Sequence, residues 1–211
     1  KCRNKSKTVW LGMKGKKSRG IIDWDEDTQI AKVAKPIGVI GSVTPTTNPV
    51  ITVMHNSACA MKCGNAIIIC PHPRAKGVGV KTVELMNAEL EKLGMPKNLI
   101  QIIPEPTMQL SAGLMSAVDL CICTGGPSMV KAAYSSGPPA YGVGPGNPPV
   151  VLDRGYDLTD AVKMTITAVG SDNGILCDGD NMLLHPAEEE KALFDTMRRE
   201  GVVVFDKPED V

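Results

Sequence analysis

Cys177 closes the run Gly170-Ser171-Asp172-Asn173-Gly174-Ile175-Leu176-Cys177, in which turn-forming residues deliver two apolar residues and then a thiol. Ser, Asp, Asn and Gly bond locally or accept unusual backbone angles, so such a run holds a short loop in one shape. A thiol presented at its end has the chemistry of a nucleophile, because the thiolate is intrinsically reactive once formed. The other reading is a buried, inert cysteine, the commoner fate of a free thiol. The choice turns on whether the preceding residues build a cofactor site and an oxyanion hole.

Asn48, in Thr44-Pro45-Thr46-Thr47-Asn48-Pro49, supplies a side-chain amide that could donate to a developing oxyanion. It is also a natural helix N-cap before a proline at the first helical position. The two roles draw on different ends of the amide and are compatible if it serves both. Thr124-Gly125-Gly126-Pro127-Ser128 combines close backbone approach with a helix N-terminus, the makings of an anion site. The alternative is a turn that merely needs positive φ. His72 and Arg74 follow a strand where an adenosine ribose or its phosphate could lie, although His72 between two prolines equally suits a surface turn. No G-x-G-x-x-G follows the first strand, so the standard dinucleotide fingerprint is absent.

Regular alternation positions these residues. From Pro36 onward, short apolar runs (Ile37–Val43, Ala66–Cys70, Leu99–Ile103, Val118–Cys123, Ala140–Gly144, Pro149–Leu152) alternate with helical patterns, joined by Gly/Pro turns. Strands that read as apolar throughout are buried on both faces. The pattern predicts an α/β fold, a Rossmann-like doubly wound parallel sheet, whose ligands bind at the carboxyl ends of the strands. The stripe Val80, Val83, Met86 and Leu90 reads as core packing. Residues 1–35 read as a basic, solvated segment followed by a hairpin arm around Asp23–Thr28 that packs on another subunit; 36–152 as the cofactor-binding domain; 153–211 as the first part of a second α/β domain carrying Cys177. That last part holds a helix capped by Asp157, a strand Met182–Leu184, an amphipathic helix Ala187–Glu200 and a strand-like run Val202–Phe205. The absent initiating Met and the abrupt end at Pro208-Glu209-Asp210-Val211 suggest a segment of a longer protein.

Composition excludes several classes. Lys+Arg and Asp+Glu are equal at 23 each, so no net field favours nucleic acid or an anionic membrane. Aromatics at 3% argue against base stacking. No apolar run approaches a membrane span. The seven cysteines fit no disulfide framework or zinc pattern; buried free thiols in a reducing compartment, the cytoplasm, is the reading, with no metal site. Cys59 and Cys63 would share a helix face, and Cys121 and Cys123 one side of a strand.

Six motifs stand in order: Pro45-Thr46-Thr47-Asn48-Pro49, Pro71-His72-Pro73-Arg74-Ala75-Lys76, Thr124-Gly125-Gly126-Pro127, Met129 to Gly137, Gly142-Val143-Gly144-Pro145-Gly146-Asn147, and Asp172 to Cys177. In this order they resemble the CoA-acylating branch of the aldehyde dehydrogenase superfamily, from about Gly20 to about Leu184. The resemblance implies that Cys177 attacks an aldehyde carbonyl and that Asn48, with the Cys177 backbone N–H, holds the oxyanion. It implies a nicotinamide cofactor, NAD or NADP, held by Thr46, Thr47, His72, Pro73, Arg74, Thr124, Gly125, Gly126, Pro127, Gly142 and Val143. Coenzyme A is the implied co-substrate, a homo-oligomer the implied assembly, and the cytoplasm or a bacterial microcompartment the implied address. Hydrolytic members carry a general-base Glu where this chain has Gly142, and a thiol acceptor needs less activation than water. The basic, Trp-containing arm most resembles sulfoacetaldehyde-type members. Two departures are Asp178 directly after the cysteine, where a small polar residue is usual, and Ser171 in place of an aromatic. A hydrolytic enzyme and a non-catalytic scaffold are the alternatives.

Overall fold

The computed structural model describes residues 2–205 and 209. Lys1 of the basic segment and, apart from Glu209, the terminal Pro208–Val211 run lie outside them. The chain divides into two compact units, Lys1–Gly144 and Pro145–Val211.

The first unit is built on five parallel strands, β3 (Val39–Thr44), β4 (Ala66–Pro71), β5 (Ile100–Ile102), β6 (Leu120–Thr124) and β7 (Ala140–Val143), in the order β5-β4-β3-β6-β7. Helices α2 (Pro49–Lys62), α3 (Lys76–Lys92), α4 (Met108–Ala117) and α5 (Pro127–Tyr134) make the crossovers. The period-2 alternation of the strands sorts the core into two layers. Ile40, Ile67, Ile69, Ile100 and Leu120 pack with Val53, Ala60 and Val83 on the α2/α3 face. Val43, Cys70, Cys121 and Cys123 pack with Leu114, Met115 and Ala133 on the α4/α5 face. Each fully buried isoleucine stabilises the sheet by roughly 1.5–3 kcal/mol relative to exposure. Cys121 and Cys123 do share one side of β6, and burial pushes both thiols up, Cys123 to about 11.

Two strands, β1 (Gly20–Asp25) and β2 (Ile30–Ala34), form the expected antiparallel hairpin. It is exposed along most of its length, including Ile21, Trp24, Ile30 and Val33. The basic segment before it exposes Lys7, Lys14, Lys16, Lys17 and Arg19, as a solvated stretch would, but it also has regular structure. It contains helix α1 (Cys2–Met13), which packs on α2. Its lysines obscure the helical pattern because few of its positions are apolar.

The second unit contains β8 (Pro149–Val151) and β9 (Met182–Leu184), paired in parallel, and helices α6 (Leu158–Gly170) and α7 (Glu190–Arg199). Asp157 caps α6 as expected, accepting from the Asp160 N–H at 2.9 Å. Leu152, Ala161, Val162 and Leu193 form its core. The pairing of β8 with β9 places Pro149–Val151 in this unit, so the boundary falls before β8 rather than after Leu152. Val202–Phe205, read as strand-like, pairs with no strand among the described residues. No helix among the described residues is long and apolar enough to cross a membrane.

Candidate active site

Register brings the candidate residues of the first unit to one edge. Thr44 pairs with Pro71, Val43 with Cys123, and Thr124 with Val143, so β3, β4, β6 and β7 end level. The loops carrying Thr46, Thr47 and Asn48, then His72, Pro73 and Arg74, then Gly125, Gly126 and Pro127, leave from that carboxyl edge, and Gly142 and Val143 lie on it. β3 and β6 are neighbours whose crossovers pack on opposite faces, which makes the crevice between them the switch point where open α/β sheets take ligands. The Thr44 hydroxyl at this point is buried and without a hydrogen-bond partner among the described residues.

Asn48 occupies the N-cap of α2, with φ −138° and ψ 58°, but its side chain makes no capping bond. This differs from the expected local role. Its Oδ1 instead accepts from the Lys5 ammonium at 3.4 Å, leaving the amide NH₂ unspent on the helix. His72 is exposed, and its Nδ1 accepts from the Arg74 N–H at 3.1 Å, capping the short turn Pro73–Ala75. Its observed part is therefore that of a turn residue. Lys76, Val80, Lys81, Glu84, Pro104 and Glu105 line an open cavity of about 340 Å³, in which Lys76 pairs with Glu105; His72, Pro73 and Arg74 do not line it.

Gly125 and Gly126 do not serve a positive-φ turn, since neither is among the residues with φ above zero. Gly126 caps α5 at φ −67° and ψ 167°, and a Cβ added to it would meet nothing within 4 Å. Neither packing nor conformation demands glycine here. A side chain would only fill open space at the positive end of the α5 dipole, so the position fits a phosphate drawn close to the backbone.

Gly142 is glycine for a different reason. A Cβ there would sit 2.5 Å from Val130 Cγ1 and 2.8 Å from the Tyr134 ring. The Gly142 N–H donates to the Tyr134 hydroxyl at 3.0 Å, which donates back to the Gly142 carbonyl at 3.4 Å. The strand end is sealed against α5, and the volume a carboxylate side chain needs is taken.

In the second unit, three consecutive residues adopt left-handed angles: Asp172 (φ 57°), Asn173 (φ 56°) and Gly174 (φ 67°). Asp, Asn and Gly are the types that tolerate this region at least cost, which explains their order in the sequence. The Ile175 N–H closes back on the Asp172 carbonyl at 3.2 Å, and the Gly179 N–H on the Leu176 carbonyl at 3.2 Å, with Cys177 and Asp178 in the bend between. Cys177 is exposed, whereas Cys70, Cys121 and Cys123 are buried and Cys59 and Cys63 half-buried. The Gly146 N–H fixes the peptide after the thiol, donating to the Cys177 carbonyl at 3.1 Å. Among the described residues no cluster of three His, Cys, Asp or Glu could hold a metal ion.

Residues 8–197 match the model of the aldehyde dehydrogenase family. The chain belongs to that family. Among aldehyde dehydrogenases of known activity, the succinate-semialdehyde dehydrogenase (acetylating) of Clostridium kluyveri is 46% identical over 211 residues, covering 100% of this chain and 47% of that protein. An acetylating aldehyde dehydrogenase from Geobacillus thermoglucosidasius superposes with a TM-score of 0.89 at 36% identity, over 95% of this chain and 45% of the other. A propionaldehyde dehydrogenase from Rhodopseudomonas palustris, solved with bound CoA and an acylated cysteine, superposes with a TM-score of 0.78 at 34% identity, over 83% of this chain and 40% of its own. This aldehyde dehydrogenase chain thus spans about half the length of the relatives it matches. Sequence reasoning assigned no role to Lys5, Tyr134 or Gly146. Tyr134 and Gly146 stand inside quoted motifs, which was a signal; Lys5 lies 43 residues from its partner, and nothing local marks it.

Proposed function

We propose that the polypeptide carrying this chain oxidises a short-chain aldehyde to its acyl-CoA thioester with NAD or NADP. The observation that carries the acylating reading is Gly142, where the hydrolytic branch has its general base: no carboxylate is present, and Val130 and Tyr134 occupy the space for one. A thiol acceptor reaches the reactive thiolate form far more easily than water reaches hydroxide, so the deacylating step can do without that base.

In this reading the exposed Cys177 thiolate adds to the carbonyl carbon, forming a C–S bond while the carbonyl electrons move to oxygen. The unspent NH₂ of Asn48 and the Cys177 backbone N–H hold that oxyanion. The nicotinamide supplies a hydride acceptor when bound, which lets the hemithioacetal become a thioester. The left-handed turn and the Gly146 bond hold the sulfur in place while CoA thiolate attacks the acyl carbon and the Cys177 thiolate leaves. The N-terminus of α5 behind Gly125, Gly126 and Pro127 would hold the cofactor's pyrophosphate, with Thr46, Thr47, Thr124 and Val143 around it. The cavity lined by Lys76 and Val80 on α3 would take its adenosine half, with His72, Pro73 and Arg74 on the turn that precedes that helix. The relative solved with bound CoA and an acylated cysteine supports the acyl transfer through a cysteine to CoA.

The exposed hairpin favours a homo-oligomer, because an isolated two-stranded ribbon with exposed Ile21, Trp24 and Ile30 is stable only against a further surface. The free thiols favour a cytoplasmic address. The test is acyl-CoA formation from a panel that includes succinate semialdehyde, sulfoacetaldehyde and propionaldehyde. Release of free acid without CoA would replace this reading with the hydrolytic one, and no turnover with any aldehyde would favour a scaffold.

A further inference from the structure

We infer that Lys5, on the N-terminal helix, is a positioning residue for Asn48; this rests on the acylating reading above. Three observations carry it. Asn48 sits at a helix N-cap yet makes no capping bond, so the helix does not fix the rotation of its amide. The Lys5 ammonium stands 3.4 Å from Asn48 Oδ1. An ammonium has donors and no acceptor, so the oxygen end of the amide must face it, and the NH₂ end is turned away. The contact thereby selects the orientation in which Asn48 can donate. It also draws electron density toward Oδ1, making the opposite N–H bonds better donors.

The partner is held in place rather than met by chance. Lys5 is half-buried, while Lys7, Lys14, Lys16 and Lys17 of the same segment are exposed. Farther along both helices, Ser6 Oγ donates to Met54 Sδ at 3.7 Å, and Cys59 Sγ to Met13 Sδ at 3.4 Å, seating α1 on α2. The basic segment thus places Lys5, unlike the exposed Lys7, Lys14, Lys16 and Lys17, behind the oxyanion donor.

An interaction that sharpens a donor for the transition state lowers kcat when removed and leaves KM nearly unchanged. In the complete polypeptide, Lys5→Met is expected to reduce kcat for CoA-dependent acylation about 10-fold or more, below the ~10²–10³-fold reported for loss of a whole oxyanion donor. KM for the aldehyde should stay within about twofold. Lys5→Arg should recover most of the rate, and Lys5→Gln, the second variant should Lys5→Met fail to fold, should fall between them. In an Asn48→Ala background Lys5→Met should cost nothing further, since its effect runs through that amide. An unchanged kcat, a change in KM alone, or the same loss in both backgrounds would overturn the positioning role while leaving the acylating reading intact. A parent without CoA-dependent turnover, or an Asn48→Ala variant as fast as the parent, would overturn the acylating reading and this inference with it.

Discussion

The Gly146 N–H donates to the Cys177 carbonyl at 3.1 Å, and a Cβ on Gly146 would lie 2.4 Å from that same oxygen. The bond and the glycine are one requirement: the backbones can meet only where no side chain intervenes. Gly146→Ala must displace the turn that carries the thiol. A shift of about 1 Å at a reacting atom costs roughly 10²-fold in rate, so kcat should fall by that order with the circular dichroism spectrum unchanged. Gly113→Ala is the control, because a Cβ there meets nothing within 4 Å in the middle of α4. It should be neutral or stabilising by up to ~1 kcal/mol.

Thiol accessibility divides the cysteines. Cys177 is exposed, and Cys70, Cys121 and Cys123 are buried with thiols pushed up by desolvation. Brief iodoacetamide treatment of the native protein near neutral pH should label Cys177 and spare those three, read by peptide mass spectrometry. Denaturant should make all of them reactive.

Gly142→Glu should not create a hydrolytic enzyme. The side chain would collide with Val130 and Tyr134 and break the paired bonds to the Tyr134 hydroxyl. Overpacking of this kind costs about 1–3 kcal/mol. The expected outcome is a lowered midpoint in urea and no gain in CoA-independent acid release. A stable variant that releases acid would show the volume to be free.

The Cys123 thiol sets a pH dependence of stability. Its ordinary value is 9.0, and burial, reinforced by neighbouring Cys121 and Cys70, holds it at about 11 in the folded state. Between those values the unfolded chain releases a proton that the folded chain keeps, so stability falls as pH rises from 9.0 toward about 11. Urea unfolding across this range should show a shallower decline for Cys123→Ala than for the parent. Equal slopes would contradict the assignment.

How much of this was legible depended on the range of the cause. The sheet was legible because Ala66–Cys70 is apolar throughout and Ile37–Val43 and Val118–Cys123 are nearly so, with Ser42 and Asp119 their only polar side chains, the pattern of strands covered on both faces. The Asp-Asn-Gly turn was legible because its residue types are those that tolerate left-handed angles, and all three adopt them. What escaped depends on distant partners. The amide of Asn48 has the chemistry of a cap, but Lys5, 43 residues away, takes its oxygen. Gly125 and Gly126 suited a positive-φ turn equally well by composition, and only the backbone shows that neither uses one. α1 was missed because a short lysine-rich helix owes its order to packing on α2 rather than to its own periodicity.

The central claim is that Cys177 carries the acyl group from aldehyde to CoA. The most direct test is intact-protein mass spectrometry of the complete polypeptide given aldehyde and NAD(P) without CoA, for the parent and for Cys177→Ala. The parent should gain one acyl group, mapped to the peptide containing Cys177, and lose it as acyl-CoA when CoA is added; Cys177→Ala should gain none. An adduct on another cysteine, or an acyl group lost to water as fast without CoA as with it, would contradict the account.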